Sequence, residues 1–393
     1  MHVPDGFINA PVSVAAGVVA AGAVAVSLRG ARRELDERTA PLAGLVAAFI
    51  FAVQMLNFPV AAGTSGHLLG GALAAILVGP YTGVLCIAVV LLMQGILFAD
   101  GGLTALGVNI TVMGVVTVIV AYALFRGLTG ILPRTRRSAT VSAFVAALVS
   151  VPAAACAFTL IYWIGGTTDI PIGKVLTAMV GVHVLIGIGE AVITALTVGA
   201  VIAVRPDLVH AARGLAAPLK LRVDGELIDA PSVAPSPSDA PSAAPSPSGA
   251  PSGAPSVAPS PSGAPSGARS RSGSATPAAA RSTRKVWATG LVTALVLAGF
   301  VSFYASASPD GLEKVAADKG IDRKAEEHAA SDSPLADYGV RDVTDARISG
   351  GLAGVIGVSA TVVVGSGVFW AVRRRRTHGS DTPAAAHHAG ENA

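Results

Sequence analysis

Nine apolar stretches of roughly helix-spanning length dominate this 393-residue sequence and most constrain how it can fold. A hydrocarbon core about 30 Å thick needs roughly 20 apolar residues for one helical crossing. With 52% hydrophobic and only 13% charged residues, the chain is unlike a typical soluble enzyme. The sequence therefore predicts an all-α polytopic membrane protein, with helices near residues 10–28, 41–57, 67–80, 82–98, 103–125, 139–163, 175–204, 286–304 and 350–372.

The third stretch, 67–80, is shorter than the others and contains the helix-breaking pair Gly79-Pro80 at its end. This pair separates it from the fourth stretch, 82–98. The third and fourth stretches are therefore expected to form either a re-entrant pair or a tight hairpin.

A tract rich in Pro, Ser, Ala and Gly at 229–281 interrupts the apolar pattern. Such a composition cannot build a core and indicates a disordered linker. We therefore expect a seven-helix bundle and a two-helix membrane module joined by a disordered Pro/Ser-rich linker. The expected domains are a membrane domain at 1–205, a cytoplasmic tail and linker at 206–285, the two-helix module at 286–376 with an exterior segment at 306–349, and a disordered tail at 377–393.

Basic residues predict the orientation of the chain. Of the 28 Lys and Arg residues, 21 follow the first, fifth, seventh and ninth helices or precede the eighth. Because cytoplasmic loops carry the excess of Lys and Arg, the linker and the C-terminus are predicted to be cytoplasmic and Met1 exterior. The first helix is not expected to be a cleaved signal, because its arginines follow the apolar run instead of preceding it. The predicted location is the cell membrane, crossed several times.

The N-terminal run Met1-His2 is the most informative local feature. A histidine in second position lets one short segment offer three nitrogens to a metal ion: the terminal amine, the deprotonated amide of His2 and its imidazole. A planar nitrogen set suits Ni(II) or Cu(II), and Co(II) can adapt, whereas Mg(II) and Ca(II) prefer oxygen. The plain alternative is an unremarkable second residue on a frayed terminus.

His67 is the best candidate for a fourth ligand. The predicted topology places the 58–67 loop on the same outer face as Met1, and glycines on both sides of His67 permit close approach of the backbone. The alternative is a hydrogen-bonded histidine at a helix entrance.

Several other polar residues fall in or beside apolar stretches. His183 and Glu190 are seven residues apart and lie on one helix face, where they could pair or line a polar cavity. Without a third donor nearby, contacts between helices explain them more simply than a metal site. Asp310 and Glu313 have capping-box spacing, which indicates a helix start. The remaining polar residues of this kind are Gln54, Gln94, Asp100 and Asn109.

Other classes of chemistry have no signal in the sequence. No phosphate-binding loop of the Walker type and no His-Glu-x-x-His motif is present, and the two cysteines, Cys86 and Cys156, lie in apolar runs. Neither a catalytic residue nor a bound cofactor is predicted.

Four blocks of this sequence closely resemble the CbiM/NikM substrate-binding components of energy-coupling-factor transporters for cobalt and nickel. They are MHVPDGF at 1–7, GTSGHLLGGALAAILVGP at 63–80, QGILFADGGLTALGVNITVMG at 94–114 and HVLIGIGEAVIT at 183–194. Pro309-Asp310-Gly311-Leu312-Glu313 resembles the PDGLE domain that accompanies these components as CbiN or NikN. The resemblance covers about residues 1–205, and more briefly the second module.

This resemblance implies that Met1, His2 and His67 are the metal ligands. It also implies that an integral-membrane coupling protein and cytoplasmic ABC-type ATPases complete an ATP-driven importer, and that the two-helix module is needed for metal loading. The chain is then expected to be the substrate-binding component for Co²⁺ or Ni²⁺, and not an enzyme. The planar nitrogen set slightly favours nickel over the cobalt of cobalamin synthesis.

Two other interpretations remain open at the level of sequence. The chain could be a membrane scaffold or sensor whose exterior segment 306–349 binds a partner. It could also be a gradient-driven carrier or channel in which His183 and Glu190 relay an ion.

Overall fold

A computed structural model describes residues 1–35, 39–61, 63–211, 220–223, 226–229 and 284–377. The Pro/Ser-rich tract predicted at 229–281 lies outside the described residues apart from Asp229. The C-terminal tail predicted at 377–393 lies outside them apart from Thr377. The chain divides into two units, one formed by 1–216 with 283–393 and the other by 217–282. In the second unit two short strands, Lys220–Val223 and Glu226–Asp229, pair in antiparallel fashion.

The first unit is built from ten α-helices within its described residues. They are α1 (Ala10–Glu34), α2 (Thr39–Gln54), α3 (Gly71–Val78), α4 (Pro80–Leu97), α5 (Leu106–Ile131), α6 (Arg136–Gly165), α7 (Ile172–Val204), α8 (Arg284–Gly299), α9 (Gly311–Lys319) and α10 (Ala346–Thr377). Residues Ile110–Val116 form a π-helical turn inside α5.

Seven of these helices are long and apolar enough to cross a membrane, counted over the described residues: α1, α4, α5, α6, α7, α8 and α10. Here α8 continues through the 3₁₀ turn Val301–Tyr304. The all-α polytopic membrane fold is therefore confirmed. The helix expected at 41–57 is the shorter apolar α2, and the one expected at 67–80 is only the eight residues of α3.

α3 is short because the backbone on both sides of it departs from helical geometry. Gly70 before it and Gly79 after it have φ of +86° and +98°, a region that favours glycine. Pro80 then begins α4, so that α3 and α4 form a tight hairpin. Glu34, at the end of α1, accepts hydrogen bonds from the first backbone amides of α4, those of Tyr81 (3.2 Å) and Thr82 (2.7 Å).

Glycines let α10 pack closely within the bundle. A Cβ at Gly354 would lie 2.3 Å from the carbonyl oxygen of Ala298 in α8. At Gly357 it would lie 2.2 Å from the ring of Phe51 in α2. Small residues permit such backbone approach between membrane helices, and here they join α8 and α10 to the rest of the first unit.

Two ends of the bundle can be defined by their contacts. The Met1 end consists of residues 1–9, 57–70, 98–105 and 166–171 with the segment 305–345, and the Gly79 end contains Gly79, Glu34 and the beginning of α4. At the Met1 end a small hairpin joins Phe58–Ala61 to Thr64–Gly66, where a loop was predicted at 58–67. The segment 305–345 packs on this end: Asn57 accepts from the amide of Ser306 (2.7 Å), and Phe98 accepts from that of Asp337 (2.9 Å).

Candidate metal centre

The first three residues are inserted into the Met1 end and do not fray. Met1 is 3% exposed and Val3 is 1% exposed. Asn109 fixes Val3 from both sides, because its Oδ1 accepts from the Val3 amide (2.8 Å) and its Nδ2 donates to the Val3 carbonyl (3.2 Å). Gly102 adds a backbone hydrogen bond to the same carbonyl (2.9 Å). The terminal amine is therefore held at a defined place.

The next residues anchor the segment to neighbouring loops. The carboxylate of Asp5 accepts from the amides of Leu103 (3.2 Å) and Thr104 (2.8 Å). The Asp5 carbonyl accepts from the amide of Glu326 in the second module (3.0 Å). Phe7, 2% exposed, is buried in the core and docks the segment against the bundle.

The structure brings Met1, His2 and His67 together. The Met1 nitrogen lies 2.6 Å from Nε2 of His67. The rings of His2 and His67 stack with centroids 5.1 Å apart and planes 12° apart. Two nitrogens bound at right angles to one ion, each about 2.0 Å from it, would be about 2.8 Å apart. The amine and His67 thus have the spacing of neighbouring ligands in a planar set.

A hydrogen bond and the surroundings of His67 decide which of its ring nitrogens can bind a metal ion. Its Nδ1 lies 3.1 Å from the Leu68 carbonyl, which can only accept, so Nδ1 carries the proton and Nε2 keeps its lone pair. Burial and the neighbouring positive amine lower the pKa of His67 despite the opposing effect of Asp310. His67 therefore presents a neutral imidazole towards the amine at neutral pH.

Glu190 holds the loop that follows His67. Its carboxylate accepts hydrogen bonds from the amides of Leu69 (2.7 Å) and Gly70 (3.1 Å), at the start of α3. Gln54 adds a bond from Nε2 to the Leu69 carbonyl (2.9 Å). Glu190 thus links α7 to the start of α3, which agrees with its interpretation as a contact between helices. This contact lies beside His67.

His183 does not pair with Glu190, although both are described and buried. Its Nδ1 lies 2.7 Å from the carbonyl of Met179, one turn earlier in the same helix. The pairing that the seven-residue spacing allowed is therefore not formed, and the relay interpretation has no hydrogen-bonded chain between these two residues.

Asp100 orients His2. Its Oδ1 lies 3.0 Å from Nδ1 of His2, and its Oδ2 accepts from the Tyr338 hydroxyl (2.6 Å). Burial would raise the pKa of Asp100, but His2 and the hydrogen bonds outweigh it and lower the pKa to about 2. Nε2 of His2 is buried without a hydrogen-bond partner among the described residues. Chelation through Nδ1 would therefore exchange the bond to Asp100 for a bond to the ion.

Asp310 is the residue that sequence reasoning missed as part of this centre. Its Oδ2 lies 2.5 Å from the Met1 nitrogen and 3.5 Å from Nε2 of His67. Burial acts to raise the pKa of Asp310, but the N-terminal ammonium and His67 hold it well below its usual range. The capping-box spacing showed that Asp310 begins a helix. Only the packing of the second module shows that this helix begins next to Met1 and His67.

The donor set depends on the terminal amine. Over the described part of the chain, no group of three His, Cys, Asp or Glu side chains is arranged to hold a metal ion. His183 bonds within its own helix, and Cys86 and Cys156 are free thiols. An ion bound here would be ligated by nitrogens of the N-terminal segment and His67.

Comparisons with known proteins agree with this picture of two modules. A family model described as the cobalt uptake substrate-specific transmembrane region, CbiM, matches residues 2–208. A model of the PDGLE domain matches residues 284–374.

Individual relatives are named as metal transport proteins. A putative metal transport protein of Haloquadratum walsbyi is 40% identical over 209 residues, covering 53% of this chain and 93% of the relative. A putative fused nickel transport protein, NikMN, of Archaeoglobus fulgidus is 42% identical over 212 residues, covering 53% of this chain and 68% of the relative. A crystal structure of a transition metal transporter has 26% identity and a TM-score of 0.46, covering 52% of this chain and 93% of the other.

Proposed function

The chain belongs to the CbiM family of cobalt and nickel transport components, and from this premise we propose that it is the substrate-binding component of an ATP-driven importer for Ni²⁺ or Co²⁺. It is a multi-pass membrane protein and a transporter component, not an enzyme. In the proposed function, the Met1 end captures the ion from the exterior, and the ion is the transported substrate.

The observation that carries this proposal is the short distance between the Met1 nitrogen and Nε2 of His67, 2.6 Å. At that distance one proton of the Met1 ammonium is donated in a hydrogen bond to the Nε2 lone pair of His67. A divalent ion that replaces this proton would bind both lone pairs at once, because the amine and the imidazole ligate metals as free bases. The His2 imidazole, stacked on His67, and the His2 amide would complete the set.

The chemistry of the donors supports nickel or cobalt as the substrate. Imidazole and amine nitrogens suit Ni(II) and Co(II), whereas Mg(II) and Ca(II) are held by oxygen ligands. The relative from Archaeoglobus fulgidus is named for nickel and the family model for cobalt. A preference for nickel would follow if the ion stays in a planar environment.

We further propose that the Met1 end faces the exterior and that both the linker and the C-terminus are cytoplasmic. The distribution of Lys and Arg supports this orientation. The sequence contains no phosphate-binding loop of its own, so ATP hydrolysis is assigned to partner ATPases that act through a membrane coupling protein.

Titration of the purified full chain with Ni²⁺ in lipid nanodiscs tests the proposal. We expect one ion per chain by elemental analysis. Adding Gly-Ser before Met1 should remove detectable binding, because it moves the amine away from His67 and converts it to an amide. The same Gly-Ser added after Ala393 is the matched control and should bind like the wild type. Intact mass measurement establishes that Met1 is retained, and wild-type binding by the N-terminally extended chain would refute the ligand assignment.

A further inference from the structure

Asp310 performs two separate tasks with its two carboxylate oxygens. Its Oδ1 accepts from the Glu313 amide (2.8 Å), and the Glu313 carboxylate accepts from the Asp310 amide (2.9 Å), which completes a capping box at the start of α9. Its Oδ2 lies 2.5 Å from the Met1 nitrogen. Because the cap fixes Oδ1, the direction of Oδ2 is set by the helix and not by a freely rotating side chain.

The first module in turn fixes the position of α9. Ser65, two residues before His67, donates two hydrogen bonds to the segment before α9: its amide donates to the Pro309 carbonyl (2.9 Å) and its hydroxyl to the Ser308 carbonyl (2.7 Å). Gly311 packs against α7 so closely that a Cβ there would lie 2.7 Å from Cδ1 of Ile186. The chain around His67 thus holds the helix that carries Asp310.

The geometry at the amine is compatible with a bound ion. A terminal ammonium has three N–H groups, of which one points to His67 and a second to Asp310. When an ion replaces the proton that faces His67, the coordinated amine retains two N–H groups. The hydrogen bond to Asp310 can therefore persist, and an amine polarised by a cation donates more strongly to a carboxylate.

We propose that Asp310 is a positioning residue of the metal centre, whose carboxylate holds the Met1 amine against His67 both before and after an ion binds. The inference rests on the proposed function, since it assumes that the amine and His67 are ligands. It assigns part of the binding site to the second module, because Asp310 of that module is the anchor that organises the N-terminal ligand of the first module. Outer partners of this kind orient metal ligands and commonly contribute 10–100-fold to metal affinity.

Asp310→Asn in the full chain, measured by Ni²⁺ titration in nanodiscs, tests the inference. The asparagine oxygen can keep the cap of α9, while its amide group cannot accept from the amine. We expect about 10–100-fold weaker binding. Glu313→Gln is the matched control, because glutamine preserves the capping box and removes an equal charge. It should bind within about threefold of the wild type, and an equal loss in both variants would reduce the effect to general electrostatics and overturn the inference.

X-ray absorption of the Ni²⁺-saturated proteins separates positioning from direct coordination. We expect the same number and type of ligand atoms in the wild type and in Asp310→Asn, because Asp310 contacts the amine and not the ion. Loss of one oxygen ligand in the variant would overturn positioning in favour of a carboxylate ligand. Wild-type affinity of Asp310→Asn would also overturn it.

Two further variants keep the result interpretable. If Asp310→Asn fails to fold, Gly311→Ala displaces α9 while retaining Asp310, and weakened Ni²⁺ binding is expected there too; unchanged binding would contradict the inference. His67→Ala reports on the proposed function itself. Loss of binding by His67→Ala together with wild-type binding by Asp310→Asn would refute only the role of Asp310, whereas wild-type binding by both would refute the ligand assignment.

Discussion

The two ends of the α3–α4 hairpin use the same interaction for different purposes. At the Met1 end, Glu190 accepts from the amides of Leu69 and Gly70 at the start of α3. At the Gly79 end, Glu34 accepts from the amides of Tyr81 and Thr82 at the start of α4. Both carboxylates accept hydrogen bonds from backbone amides at or just before the start of a helix, where amides have no partner within the helix. Only Glu190 lies beside the loop of His67, whose Nε2 lone pair faces the Met1 amine. A buried carboxylate that accepts from backbone amides therefore does not by itself indicate a functional site.

The largest expected difference between these regions concerns two buried histidines. His67→Ala removes a proposed ligand and should weaken Ni²⁺ binding by more than about 100-fold, beyond the usual effect of an outer partner. His183→Ala removes a histidine whose one hydrogen bond to the described residues lies within its own helix, and should leave the affinity within about threefold while lowering thermal stability. Ni²⁺ titration and thermal unfolding of both variants measure this. Equal losses of affinity would erase the distinction.

Acidification should act at the Met1 end through its nitrogen ligands. Each ligand must be a free base to bind the ion, so every proton displaced weakens the apparent affinity by up to about tenfold for each pH unit below the pKa of its group. Because the pKa of His67 is lowered, His67 should contribute to this loss only at the acidic end of the range. Ni²⁺ titrations between about pH 5.5 and 8 test the sign, and affinity that rises on acidification would contradict nitrogen ligation.

Glu190→Gln and Glu34→Gln compare the two carboxylates directly. Glu190→Gln should loosen the loop that carries His67 and weaken Ni²⁺ binding by about tenfold. Glu34→Gln should leave binding unchanged, since the amides of Tyr81 and Thr82 that it accepts from lie at the Gly79 end. Both should lose about 1–2 kcal/mol of stability, because a charged acceptor of backbone amides is weakened. If the Glu34 variant loses as much affinity as the Glu190 variant, the loop does not position His67.

The smallest expected effect on binding is that of Gly79→Ala. Gly79 has φ of +98°, and a Cβ there would lie 2.6 Å from the Glu34 carboxyl carbon. We expect a stability loss of about 1–3 kcal/mol with no change in Ni²⁺ affinity. Gly173→Ala is the control, because a Cβ at that helical position meets nothing within 4 Å. A marked change of affinity in Gly79→Ala would show that the two ends are coupled.

Much of the fold could be predicted because the hydropathy of a short stretch of sequence is enough to indicate a membrane helix. Runs of apolar residues gave the helices and their order, and Gly79-Pro80 marked the turn between α3 and α4. The extent of α3 could not be predicted, since the run from Leu68 to Val78 contains no polar residue. The positive φ of Gly70, next to the hydrogen bonds from Glu190 and Gln54, makes the helix begin later than hydropathy alone would predict.

The candidate centre was predictable in part for a similar reason. Met1-His2 and the glycine-flanked His67 are short patterns whose chemistry can be read from residue type. Their partners cannot, because Asp310 and Met1 are 309 residues apart in the chain, and Asp100 meets Tyr338 across 238. The spacing of Asp310 and Glu313 predicted a capping box and so a helix start, but not that Asp310 contacts the Met1 amine.

The sequence by itself determined that this chain spans membranes many times, that it carries nitrogen donors suited to nickel or cobalt, and that a Pro/Ser-rich tract separates two apolar regions. These properties depend on composition, periodicity and residue type within short windows. Only the tertiary structure decided that the second module places a carboxylate on the terminal amine and that Glu190 serves the His67 loop and not His183. Such contacts depend on how distant helices pack, and a local pattern does not contain that information.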